Sequence, residues 1–153
     1  VRMRSIRWPG DTNGAGPTSH AKDQPMSDLP PQLSSFIGRG TEIEQVTRLL
    51  SANRLVTLTG PGGVGKTRLA LAVVELLADR FPDGVHFVGL ASISDPALVH
   101  STIVMSLGLR EGRTTSPLEM LLDYLREKRA LLLLDNFEQL TDAAPILTTM
   151  LMT

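Results

Sequence analysis

Hydrophobic positions along the chain fall into short runs of two kinds, and the two kinds alternate. "RLVTLTG" (54–60) is a brief β-rich run that enters a glycine loop, and "VHFVGL" (85–90) is a second such run. "ALLLLD" (130–135) is a third; its leucines lack the alternation of a half-exposed strand, which predicts burial on both faces. Between these runs the apolar spacing is helical. Ile43, Val46, Leu49 and Leu50 share one helical face, and Thr41 with Glu44 has the spacing of a capping box. "KTRLALAVVELLADR" (66–80) is apolar on more than one face, as a well-buried helix should be. Asp95 before Pro96 reads as an N-cap with proline at the first helical position, opening a helix that runs to about Leu107 and stops at Gly108. Ser116 and Glu119 give a second capping box, followed by a stripe of Leu118, Leu121, Leu122 and Leu125. A last helix is predicted over 142–152. Strands alternating with helices specify an α/β fold, a parallel sheet with flanking helices.

Residues 1–34 stand outside this pattern. They are rich in Gly, Pro, Ser, Asp and Asn and show no hydrophobic period, which predicts a disordered leader with the ordered domain over 35–153. Met26 is an alternative translation start. The first residues are basic, but no apolar core follows them, so they are not a signal peptide. At 153 residues, 42% hydrophobic and 20% charged with net charge −1, the chain has the composition of one soluble domain or part of a larger one. That balance gives no support for a nucleic-acid footprint on this segment. The absence of cysteine excludes disulfides and thiolate metal sites and fits a reducing cytoplasm. No apolar run reaches the roughly 18 residues of a membrane helix, so no membrane association is expected.

Two stretches carry chemistry. "GPGGVGKT" (60–67) matches G-x-x-x-x-G-K-[ST] between a predicted strand and a predicted helix. Glycines let such a backbone fold around phosphate with its N–H groups inward, and the helix behind adds its positive end. Gly60, Pro61, Gly62, Gly63, Val64 and Gly65 would form the cradle, with Arg68 just behind it. Lys66 would reach the β- and γ-phosphates and Thr67 would ligate Mg²⁺. The plainer reading is a glycine-rich turn. Asp135, at the end of the leucine run, has the position of a second Mg²⁺ ligand; its plainer reading is a helix cap. Asn136 follows where a proton-accepting carboxylate often stands, and an amide cannot take a proton. Glu138 is the candidate base if the chain turns it towards the γ-phosphate; otherwise it is a solvated acid in a helix's first turn. His86 and His100 have no second ligand at metal spacing and read as structural. Arg110, Arg113, Arg126 and Arg129 read as solvated surface.

"LPPQLSSFIGRGTEI", "RLVTLTGPGGVGKTRLA", "FPDGVHFVGLASISDPALV" and "LLLLDNFEQL", in that order, resemble the STAND or NB-ARC-like P-loop ATPase domain of bacterial LuxR-type and SARP-type transcriptional regulators. The resemblance covers about residues 29–145, the N-terminal part of such a domain. It implies a P-loop NTPase fold of the additional-strand class, incomplete at the C-terminus. It implies that Phe36, Ile37, Gly38 and Arg39 lie near the nucleotide base, although Gly40 stands where the family more often has Glu. It implies ATP/ADP and Mg²⁺ as cofactors and a slowly hydrolysing switch, a role that suits Asn136. Effector and DNA contacts would belong to further domains absent from this chain, as would any homo-oligomer of the intact protein. In that class another strand lies between the phosphate-loop strand and the Asp135 strand; without it the sheet is expected to have a hole, with unpaired backbone groups. Two other readings stay open: a P-loop enzyme such as a kinase or motor ATPase, and a truncated remnant that binds nucleotide without turnover.

Overall fold

A computed structural model describes residues 2–5 (backbone only), 39–110 and 115–152. The strands are β1 (Arg2–Ser5), β2 (Leu55–Thr57), β3 (Val85–Gly89) and β4 (Leu131–Asp135). The helices are α1 (Gly40–Ala52), α2 (Lys66–Leu77), α3 (Val99–Ser106), α4 (Pro117–Leu125) and α5 (Ala144–Met152).

The leucines of β4 divide the interior. Leu131 and Leu133 enter one core with Val46 and Leu50 of α1 and the buried face of α2. Leu132 and Leu134 enter a second core with Ile103 of α3, Leu121 and Leu125 of α4, and Leu147 of α5. All four are essentially inaccessible, as expected for a strand covered on both faces. α2 buries Leu69, Ala70, Leu71, Val73, Val74 and Leu77, and its last predicted turn tightens into a 3₁₀ turn, Ala78–Arg80.

The sheet order is β2-β1-β4-β3. β3 and β4 pair in parallel from Val85↔Leu131 to Gly89↔Asp135. β2 and β4 also run the same way, but each pairs with β1 in the antiparallel sense, Met3 lying opposite Val56 on one side and Leu133 on the other. This corrects two expectations. Residues 2–5 are a strand and not part of a disordered leader, and the expected hole between β2 and β4 is filled. The physical reason is the same for both: facing edges leave backbone N–H and C=O groups without partners, and a short extended segment supplies them. Residues 6–38, the rest of that leader and Phe36, Ile37 and Gly38 among them, lie outside the described residues.

Caps set the helix starts. Asp95 accepts from the Ala97 N–H at 2.9 Å, but the turn it caps is a 3₁₀ turn, Pro96–Leu98, and the α-helix begins only at Val99. Gly108, with φ 68°, closes α3 as expected. Ser116 and Glu119 make both bonds of the capping box at α4. The Ser116 N–H and hydroxyl both donate to the Glu119 carboxylate, at 3.1 and 2.9 Å, and hold it below its usual range. The Thr41–Glu44 box does not form. The helix starts two residues early, Arg39 occupies the N-cap, and Thr41 already lies inside. Leu49 is also off the buried stripe, 41% exposed. Among the described residues no helix is long and apolar enough to cross a membrane.

Candidate phosphate and metal site

The glycine loop follows β2 and ends as α2 begins. Gly63 and Gly65 have φ of 74° and 89°, a left-handed state that β-carbons disfavour; Gly65 is the N-cap of α2. A side chain at either position would be strained, so the glycines at 63 and 65 follow from the backbone path. The Lys66 ammonium lies back across the loop, donating to the carbonyls of Gly60 at 2.9 Å and Pro61 at 3.1 Å.

The Thr67 hydroxyl meets Asp135. Its Oγ1 stands 3.0 Å from Oδ1 and 3.1 Å from Oδ2 of the carboxylate. β4 brings Asp135 there, and the strand's end is fixed by Leu90 N–H donating to the Asp135 carbonyl at 3.0 Å. The Asn136 N–H donates to Asp135 Oδ1 at 3.1 Å. A hydroxyl and a carboxylate side by side at a loop of backbone donors form a hard-oxygen set suited to Mg²⁺ beside phosphate.

Asn136 is the one described non-glycine residue with positive φ, at 61°. Asparagine tolerates this state better than most side chains do. The turn it makes leads into a 3₁₀ turn, Phe137–Gln139, in which Phe137 is buried as an anchor and Glu138 is exposed. Glu138 thereby borders the cleft that holds the loop. That cleft, about 220 Å³, joins Gly62, Gly63, Gly65, Lys66, Thr67 and Arg68 to Asp135, Asn136 and Glu138. A second hollow of about 240 Å³, bordered by Thr57, Thr59 and Thr141, shares Lys66 and Glu138 with it.

A third groove, about 410 Å³, separates α1 from β2 and the loop. Arg39, Glu42 and Gln45 border it on one side and Thr57, Pro61 and Val64 on the other. Arg39 reaches across to the loop, its Nη2 2.6 Å from the Val64 carbonyl. The loop residues, Thr67, Asp135, Asn136 and Glu138 are therefore brought together, with Arg39 behind them; Ile37 and Gly38 are outside the described residues.

Sequence reasoning missed Gln139. Its amide donates to the carbonyls of Leu90 at 2.8 Å, Ala91 at 3.1 Å and Ile93 at 3.4 Å, tying the loop after β3 to the end of β4. A polar residue after a strand gives no signal for such a role.

The AAA domain family matches residues 48–152, more than half of the chain. An uncharacterized protein of Mycobacterium tuberculosis is 42% identical over 111 residues, 72% of this chain and 28% of its own length. A protein of the same organism named as an HTH-type transcriptional regulator is 41% identical over 104 residues, 68% of this chain and 12% of its own length. The regulatory protein AfsR of Streptomyces coelicolor is 31% identical over 139 residues, 79% of this chain and 14% of its own length. The chain thus spans well under a third of each of these relatives. No solved structure matches. With the glycine loop and the acid strand both inside the matched residues, in an α/β fold that sets Thr67 against Asp135, the chain belongs to the AAA domain family.

Proposed function

We propose that this chain is the nucleotide-binding part of a signal-responsive transcriptional regulator, a STAND or NB-ARC-like switch of the additional-strand P-loop class that binds ATP and ADP with Mg²⁺ and hydrolyses ATP slowly. The observation that carries the reading is the Thr67–Asp135 contact at the mouth of a loop built on left-handed glycines. Backbone N–H groups of 62–67 would cradle the β- and γ-phosphates. Lys66 would exchange the Gly60 and Pro61 carbonyls for phosphate oxygens, a trade of neutral acceptors for charged ones. Thr67 and Asp135 would hold Mg²⁺, which supplies charge neutralisation at the phosphates. The names of the relatives, an HTH-type transcriptional regulator and a regulatory protein, support a place in transcription control. Effector and DNA contacts would then belong to segments other than this one. The experiment is a titration of a fluorescent ATP analogue into the wild type and Lys66→Ala. Loss of the charge-assisted contact should weaken binding by about tenfold to a hundredfold; equal affinities overturn the reading.

A further inference from the structure

We propose that Arg39 is a positioning residue for the phosphate loop, holding the Val64–Gly65 peptide in the orientation that presents the Gly65 N–H to a bound phosphate. The inference rests on the nucleotide-binding reading above. Three observations carry it.

The first is the bond itself. Arg39, at the start of α1, donates to the Val64 carbonyl from 25 residues away, at 2.6 Å. This is a short, charge-assisted contact on the back of the loop. The second is peptide geometry. The chain has no cis peptide among its described residues, so the Val64 C=O and the Gly65 N–H leave opposite edges of one plane. Arg39 and Val64 border the groove beside α1, whereas Gly65 borders the 220 Å³ cleft with Lys66 and Thr67. A carbonyl turned to the groove directs the amide hydrogen to the cleft.

The third is the freedom that would exist without Arg39. Gly65 has φ 89°, and glycine populates positive and negative φ about equally. A peptide plane that precedes glycine can flip by changing only ψ of the residue before and φ of the glycine, as the two common turn types do. Flipped, the Val64 carbonyl oxygen would face the phosphate and oppose it. The guanidinium pins this plane on its Val64 carbonyl side from outside the loop. Its two terminal nitrogens also lie 3.9 Å from where a β-carbon of residue 65 would stand, so the guanidinium flanks this residue.

This role differs from a contact with the nucleotide base, and a base-free ligand separates the two. Inorganic tripolyphosphate and ATP, each with Mg²⁺, are titrated into the full chain as wild type, Arg39→Ala and Lys66→Ala. Arg39→Ala should weaken both ligands by the same factor, about tenfold, the loss of one hydrogen bond of this class. If Arg39→Ala binds tripolyphosphate as the wild type does, the positioning role is wrong, whatever happens to ATP. If Lys66→Ala loses both ligands while Arg39→Ala keeps tripolyphosphate, the nucleotide reading stands and only this inference falls. If the wild type binds neither ligand, both fall. A measurement on the wild type alone guards against a variant that does not fold: the Gly65 amide proton resonance should move downfield on adding tripolyphosphate, and an unmoved resonance overturns the proposal.

Discussion

Asn136 owes its identity to the backbone before it owes anything to chemistry. At φ 61° and ψ 31° it occupies a state that asparagine enters more readily than aspartate's longer homologue glutamate or any branched residue. The sequence could show that an amide stands after Asp135; it could not show that this residue reverses the chain and carries the next acid to the cleft. Glu138 borders two of the three hollows that Lys66 borders, so the candidate base lies two residues downstream of Asn136. Glu138→Gln should lower single-turnover ATP hydrolysis by about 10²-fold or more, within the range of a positioned general base. Quenched-flow measurement of phosphate release checks this; an unchanged rate assigns the water to other residues. The order of strand, glycine loop and helix, by contrast, was legible, with glycines at 63 and 65 where the backbone turns left-handed. Phosphate imposes a fixed spacing on the groups that surround it, and fixed spacing survives in sequence. The bond from Arg39 to the loop was not legible, because it joins residues through space and depends on where α1 begins.

Elements were legible in proportion to how local their causes are. The Ser116–Glu119 cap and the Gly108 stop are made by neighbours and came out as read. The Thr41–Glu44 box failed because a helix that starts at Gly40 moves every cap position by two residues. Asp83 shows a cause that pattern cannot supply. It stands in the turn before β3, yet its partners lie just before β4: the Arg129 N–H at 2.7 Å and the Lys128 ammonium at 3.2 Å. Partial burial pushes its carboxyl up, but the Arg129 N–H and the Lys128 charge outweigh that and leave it below its ordinary value. A carboxyl that titrates lower in the folded chain stabilises the fold above its unfolded pKa. That contribution is lost as pH falls through the folded value, so the acid limb below about pH 4 is where it disappears. Asp83→Asn should therefore lower the thermal midpoint at pH 7 by about 4 °C, on the basis of one hydrogen bond to a charged group. The difference from the wild type should shrink below about pH 4. Thermal melts across the pH range test it; a difference independent of pH would assign the effect to packing.

At the scale of the whole molecule, one sheet separates two cores, and β4 serves both. The α/β layering was legible because it follows from alternating periods. The central place of β1 was not. "RMRS" has no strand-length alternation, and its extended form is imposed by two neighbours that both need a partner. β1 is the only strand paired with β2 among the described residues. A chain lacking residues 1–5 should melt about 5 °C lower or more, through backbone groups left without partners. Differential scanning calorimetry of the two chains decides this, and coincident midpoints would show that β2 holds its place through α1 and α2 alone.

The Thr67–Asp135 contact joins residues 68 positions apart, and that separation fixes a timetable. On a ribosome the loop is made first, and at about 5–20 residues per second the acid arrives roughly 3–14 s later. For that interval the nascent chain has a phosphate loop without its carboxylate. A ligand that needs both groups ignores the unfinished chain and recognises only the closed one. On the nucleotide-binding reading proposed above, its arrival would then favour the docked position of β4, and binding would help to complete the fold.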